Sequence, residues 1–553
     1  MTRLLCLLVL CAPLCAQPNA DIRAASTKLA ADNPEVVRMV DLPGGELGQY
    51  VLSIGNDQRP AVLVLGSLRG DEASPAVACL ELARALMADA ESRKLLSEAE
   101  LIIIPVPNPR GRQALFARPA LAVPGTALPF DDDRDGANDE DGPRDINGDG
   151  VISQMRVKRA GGKYLPHKKD PRLLVRAEAG EVGEYDLYWE GVDDDADGRI
   201  NEDPPGTITL SNDWPIRWSD TQDGANRFSM QLPQTRALAE FILANPRIYA
   251  AFQVRSVGGR VEFAKGPPVR GGENPYKRDA ELAAVLAKSF GEHRSAVAGA
   301  PEGAGNVLDW LYECAGVLTA NVYLAEIPAP PKNPDEKEKD KDEDGEEDSP
   351  EMGDETPGRP GRGARAATMD ADLAWLAYTP ERFREWKAFK HPQLEDVEIG
   401  GWEIAARCDA NPDDVTAGVK ALSELVTAAL KAAPRARISK VEVEDRGGGV
   451  YRVRATLHNP GTLDYRSAFA TQNRIGLPLF VKLEESKAIE LISGTRRQSH
   501  ENVEGGATAT FEWVIRCGDP AMNLTFTLEA ARTGNVTEKI AIKDCKKLQT
   551  EEE

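Results

Sequence analysis

The stretch AVLVLGSLRGDE, residues 61–72, decides the reading of the first half of this chain. Residues 61–65 are a short apolar run of the kind that forms a buried strand. A glycine-containing loop follows and ends on the carboxylate of Glu72. Ser74 and Pro75 then suit an N-cap and a first helical position. Val77, Leu80, Leu82, Leu86 and Met87 continue at roughly helical spacing. The loop therefore sits where a strand hands over to a helix.

The same handover recurs. LIIIP (101–105) leads to Asn108-Pro109-Arg110-Gly111, IYAAFQV (248–254) to Arg255-Ser256, and VLTANVYLA (317–325) to Glu326. Helical patterns lie at 233–244 and 279–292. Strands alternating with helices predict an α/β domain with a parallel or mixed sheet and helices on both faces. Ligands of such sheets bind beyond the carboxyl ends of the strands, where Arg69, Glu72, Asn108, Arg255 and Glu326 fall.

After a helix expected over 413–432, the pattern changes. ISKVEVED, VYRVRATLHN, LPLFVKLEE, ATFEWVIRC, NLTFTLEAA and VTEKIAIKD alternate apolar and polar residues between Gly, Asn and Pro turns. They predict a C-terminal β-sandwich over 435–548. The α/β domain is then 17–433. It contains an acidic insertion at 130–205 and, at 329–366, a Pro-, Lys- and acid-rich segment expected to be disordered.

The start, MTRLLCLLVLCAPLCA (1–16), reads as a signal peptide, with an early Arg3 and an apolar run too short for the ~20 residues that span a bilayer. The expected location is secreted, periplasmic or cell-envelope, with no transmembrane segment. Of the eight cysteines, those at 79, 314, 408, 517 and 545 follow the leader. Their spacing matches no zinc pattern, while Cys517 and Cys545 are close enough in sequence to pair in an oxidising compartment.

The net charge of −22 is concentrated: residues 131–149, 193–203 and 331–356 carry −7, −5 and −9. No basic stripe is left for nucleic acid. FDDDRDGANDEDGP (130–143) and VDDDADGRINEDPP (192–205) are internal repeats, and DINGDGVIS (145–153) lies between them. Each places acids or Asn at alternate positions before a glycine, the spacing that turns oxygens onto one hard cation. Calcium is the expected cofactor, with Asp131, Asp133, Asp135, Asp145, Asn147, Asp149, Asp193, Asp195 and Asp197 as first ligands. Asp139–Asp141 and Asn201–Asp203 are candidates for later ones. The alternative is a solvated acidic loop.

The order of motifs resembles the zinc carboxypeptidases of the M14 type, especially secreted bacterial members with an acidic insertion and an appended β-domain. The resemblance covers roughly residues 25–400. GSLRGDE resembles that family's His-Gly-Asn-Glu zinc segment, NPRG its Asn-Pro-Asp-Gly turn, and LSNDWP (210–215) its substrate-carboxylate segment. VRSVGG (254–259) resembles its histidine-serine zinc segment, Asp309-Trp310-Leu311-Tyr312 its Asp-Trp-x-Tyr segment, and LAEI its catalytic-glutamate strand. The resemblance implies that Glu326 is the counterpart of the general base/acid, and that Arg69, Glu72 and Arg255 stand at the zinc positions.

Only Glu72 keeps a zinc-ligand type. Guanidinium has no free lone pair and stays protonated, so arginine does not replace a histidine ligand. Ser211 and Asn212 stand where the resemblance implies a substrate-clamping Asn-Arg pair. No tyrosine occupies 295–308, where the family carries an active-site one. Zinc is therefore not expected, although the family uses it, and Glu326 has no metal-activated water to manage. Instead Arg69 and Arg255 are expected to form ion pairs with Glu72, with Glu326 joining them. The leading expectation is an inactive relative that binds a peptide, cell-wall or protein ligand. The alternatives are an active metallocarboxypeptidase with atypical ligands and a calcium-dependent structural or adhesion protein.

Overall fold

In a computed structural model, the described residues are 17–44, 48–131, 136–221, 224–258, 261–264, 266–267, 276–290, 296–298, 305–326 and 371–547. The expected signal peptide lies outside them, as do Asp133, Asp135 and the whole acidic segment expected over 329–366.

The apolar runs assemble an eight-stranded mixed sheet. Its order is Val37–Asp41, Tyr50–Gly55, Glu100–Ile104, Ala61–Leu65, Ile248–Val257, Leu318–Ala325, Val261–Phe263, Ala296–Ala298. Ala61–Leu65 runs parallel to both of its neighbours, and Ile248–Val257 runs parallel to Leu318–Ala325. Their carboxyl ends therefore open on one edge. The strand alternation sends Val62 and Val64 into one core with helices Ser74–Ala88, Lys277–Ala287 and Pro412–Ala432. Ala61, Leu63 and Leu65 enter a second core with helices Pro233–Ala244 and Val307–Ala315. Helices thus cover both faces, the arrangement that lets central strands be apolar throughout. The helix expected over 279–292 starts two residues earlier and ends at Ala287.

The acidic insertion holds more than loops. Ser153–Gly162, Tyr164–Pro166, Leu174–Arg176 and Gly183–Trp189 are strands. They join Phe383–His391 and Glu395–Glu403 in a six-stranded antiparallel sheet. The acidic repeats are the loops on either side of these strands.

The C-terminal strands form two sheets that share one core, in which Val453 and Trp513 of one sheet meet Val481 and Phe526 of the other. Every pairing is antiparallel except the two-residue strand Lys546–Lys547. Cys517 and Cys545, expected as a possible pair, are both free thiols directed at backbone carbonyls, of Asp519 at 3.2 Å and Ala541 at 3.4 Å. The sandwich docks through the short helix Ala468–Asn473. The buried Asp279 accepts from the backbone N–H groups of Ala468 (2.7 Å) and Phe469 (3.0 Å) and from the Tyr312 hydroxyl (2.7 Å). Arg532 donates back to Gly316 O at 2.6 Å. Among the described residues, no helix is long and apolar enough to cross a membrane.

Candidate functional site

The strand Ala61–Leu65 ends against the neighbouring turn. A Cβ on Gly66 would lie 2.0 Å from Pro105 O, and one on Gly70 would lie 2.6 Å from the Gly111 backbone. Only glycine lets the loop pass this close to the chain around 105–111. Asn108 caps the helix Pro109–Ala114, accepting from Gly111 N–H at 3.1 Å, and its amide donates to Gly125 O at 2.7 Å. The loop 66–73 is therefore held on a rigid base.

From that loop Glu72, 7% exposed, turns inward to meet the last turns of the strand Ile248–Val257. Arg255 Nε donates to Glu72 Oε1 at 2.9 Å and lies 3.3 Å from Oε2. Ser256 N–H donates to Glu72 Oε2 at 3.0 Å. Arg69 Nε lies 3.5 Å from Glu72 Oε1, but its shorter bonds go to Asp71, from Nε at 3.0 Å and from Nη2 at 2.5 Å. Arg69, Glu72 and Arg255 therefore converge as the sequence predicts, with Asp71 as an unforeseen fourth member. Burial raises the Glu72 carboxyl above its ordinary range, against the lowering pull of Arg255 and Arg69. The Arg69 guanidinium is held above its ordinary value: the pull of Asp71 and Glu72 outweighs desolvation, the largest opposing cause.

Glu326 does not join the cluster. It follows the strand Leu318–Ala325, is exposed, and makes no ion pair among the described residues. Ser211 and Asn212 lie in a 3-10 turn, Leu210–Asn212, whose following Asp213 accepts from Leu232 N–H (2.9 Å) and Gln231 N–H (3.1 Å). Arg217, the arginine of this segment, is engaged by Asp309 and Glu313, so the segment offers no free guanidinium fork.

A second layer behind Glu72 was missed in the sequence. Ser74 was expected to cap its helix. Instead it is the first helical residue, and the cap comes from Asp409, 335 positions away. Asp409 accepts from Ala73 N–H (2.9 Å), Ser74 N–H (3.0 Å), Ser74 Oγ (2.6 Å) and Ser256 Oγ (2.8 Å). A carboxylate at a helix N-terminus satisfies orphan donors and meets the positive end of the helix dipole. Burial raises the Asp409 carboxyl. It also raises the neighbouring Cys408 thiol well above its usual value, with Asp71 and Asp409 adding to the effect. Arg112 is buried beneath this layer and ties Ala73 O (3.0 Å) to Asn19 Oδ1 (2.6 Å) and Gln17 O (2.7 Å). No local pattern signals these long-range partners.

In the middle acidic loop the backbone satisfies the acids: Asp145 accepts from Gly148 and Gly150 N–H, both at 2.7 Å, Asn147 from Asp149 N–H at 2.8 Å, and Asp149 from Val151 N–H at 3.1 Å. The last loop repeats the pattern: Asp193 accepts from Ala196 N–H (2.6 Å) and Gly198 N–H (3.0 Å), Asp195 from Asp197 N–H (2.9 Å) and Asp197 from Arg199 N–H (2.7 Å). Glu190, fully buried, anchors that loop by accepting from Ile146, Asn147 and Ser153 N–H, each at 3.1 Å. Asp131 is half-buried, with one oxygen lacking a hydrogen-bond partner. Asp193, Asp195 and Asp197 bring ligand oxygens within 4.8 Å of one another.

Residues 22–123 match the family described as zinc carboxypeptidase, a segment that contains Arg69 and Glu72 but not Arg255 or Glu326. Residues 435–541 match a domain family of unknown function, DUF8731. No curated protein sequence matches the chain. Among solved structures, bovine thrombin-activatable fibrinolysis inhibitor in complex with tick carboxypeptidase inhibitor is similar at 12% identity and TM-score 0.35, covering 55% of this chain and 85% of that one. Carboxypeptidase A from Helicoverpa armigera is similar at 14% identity and TM-score 0.35, covering 57% of this chain and 65% of that one. A metallo-carboxypeptidase from Burkholderia cenocepacia is similar at 12% identity and TM-score 0.32, covering 55% and 60%. The chain thus spans less than two thirds of the second and third of these relatives. On the family match, the N-terminal part of this chain, including the loop that carries Arg69 and Glu72, is similar to the zinc carboxypeptidases.

Proposed function

We propose that this protein is an exported, non-hydrolytic relative of the zinc carboxypeptidases that binds a peptide or cell-wall ligand. One observation carries the reading: Arg255 donates to Glu72 at 2.9 Å, with Arg69 at 3.5 Å from the same carboxylate. Zinc requires lone-pair donors, and two guanidiniums beside the single glutamate supply none and repel a dication. The residues present do not fit the family's metal. Asp71 and Glu72 engage the two arginines directly, so the cluster leaves no spare positive charge to clamp a peptide carboxylate. It is better suited to be an internal strut than a ligand pocket.

The binding surface in this reading lies on the six-stranded sheet. A cleft of about 310 Å³ there is lined by Tyr164, Trp189, Phe383 and Trp402, with Asp372 and Arg407 at its polar side. Arg407 pairs with Asp372 at 2.8 Å and lies over the Trp402 ring at 4.5 Å. Aromatic walls with a few placed polar groups suit sugar rings or apolar peptide side chains. The apolar leader at 1–16 supports export.

The test is a peptidase assay on purified protein with zinc supplied, beside a tryptophan-fluorescence titration with peptidoglycan fragments and short peptides. The expected result is no release of C-terminal residues and a saturable fluorescence change that Trp402→Ala abolishes. Chelator-sensitive release of C-terminal residues would overturn the reading.

A further inference from the structure

The two long acidic repeats are not independent loops. Asp141 of the first accepts from Asp194 N–H of the second at 2.6 Å, and Asp203 of the second accepts from Asp139 N–H of the first at 2.9 Å. Asp141 and Asp203 occupy the same repeat position, and both are fully buried. The repeats also share backbone form: Gly136 and Gly198 have φ of 105° and 92°, and Asp139 and Asn201 have φ of 52° and 62°. Each repeat thus closes on its partner.

This closure brings Asp141, Asp195 and Glu202 together, with ligand oxygens within 4.8 Å of one another. The oxygens are not all satisfied. Among the described residues, Asp141 Oδ2 and Glu202 Oε2 are buried with no hydrogen-bond donor, and neither side-chain polar atom of neighbouring Asn201 has a partner. Glu202 contacts Asp141 directly, and Asp193 and Asp197 add negative charge around it, opposed by the cation Arg144. A fully buried carboxylate facing other carboxylates, with no donor on one oxygen, is electrostatically incomplete. A bound cation would complete it. A spread of 4.8 Å is about twice the 2.3–2.6 Å calcium–oxygen distance. Donors that are all oxygen exclude metals that favour nitrogen or sulfur, and flexible carboxylate loops suit calcium better than octahedral magnesium.

We infer that Asp141, Asp195 and Glu202 form a calcium site shared between the two repeats, with the side-chain oxygen of Asn201 as a further ligand. The cation then holds together the two loops that flank the second sheet, whose strands carry the aromatic cleft. The site stands on its own geometry and does not depend on the arginine cluster being inactive.

The experiment is calcium titration of the full chain after chelator treatment, by calorimetry and thermal melts, on the wild type, on Asp141→Asn and Glu202→Gln, and on Asp32→Asn, an exposed carboxylate of the helix Asn19–Asp32. The wild type is expected to bind calcium and melt higher. D141N and E202Q are each expected to raise Kd by about tenfold or more, since each removes a charged ligand, while D32N leaves Kd unchanged. In chelator, D141N and E202Q should melt at or above the wild type, because an amide relieves the unbalanced carboxylates. That reversal of sign separates a lost ligand from a damaged fold. Absence of calcium binding by the wild type, unchanged Kd in both D141N and E202Q, or an equal response to magnesium would overturn the assignment.

Discussion

Two regions of this molecule take carboxylates out of water and balance them in different ways. At the end of the central strands, Glu72 and Asp71 meet Arg69 and Arg255, and Asp409 meets backbone donors at a helix N-terminus. In the acidic repeats, Asp141 and Glu202 keep buried oxygens for which the described residues supply no donor. The first region is electrically closed by its own side chains. In the second, like charges of Asp141, Asp193, Asp197 and Glu202 face one another. A buried carboxylate therefore does not identify a metal site by itself; the identity of its neighbours decides.

The contrast breaks most readily at Arg255. Arg255→Met removes one partner of a buried pair and leaves Glu72 short of its nearest cation. The expected cost is about 3–5 kcal/mol, because an uncompensated buried charge remains. It should appear in denaturant melts and be the same with calcium or chelator. A loss below 1 kcal/mol, on the order of an exposed pair, would mean that the cluster is solvated.

Asp409→Ala should have a smaller effect, about 1–2 kcal/mol, the range for loss of a helix cap. Ser74 and Ser256 hydroxyls remain to bond one another at 2.7 Å, which limits the damage. Hydrogen exchange would sharpen the point: protection should fall at Ala73 and Ser74 while the far end of the same helix is unchanged. Uniform loss of protection along Ser74–Ala88 would show that Asp409 acts on the core rather than as a cap.

How far the sequence reaches follows the range of each interaction. The strand ends carrying Arg69, Glu72 and Arg255 are legible because each follows an apolar run that marks its own boundary. The six sandwich strands named from alternation are present, but Ile489–Ser493 and Arg497–His500 are mostly exposed and carry too little alternation to be read. The six-stranded sheet was hidden because its strands lie between acidic loops, and their partners follow 242–250 residues later. Asp409 was illegible for the same reason: its segment, RCDANP, shows only that a helix starts at Pro412. The acidic repeats were legible as ligand spacing within each loop. Their closure across the repeats, Asp141 to Asp194 and Asp203 to Asp139, is a tertiary fact with no local signature.

The most direct test of charge closure by arginine is equilibrium dialysis against zinc, with bound metal measured by mass spectrometry, on the wild type and on the Arg69→His/Arg255→His variant. Glu72 already stands between the two positions. The account predicts that the wild type retains no zinc and that the double variant gains stoichiometric zinc, lost again when Glu72→Gln is added. Stoichiometric zinc in the wild type, released by Glu72→Gln, would contradict it.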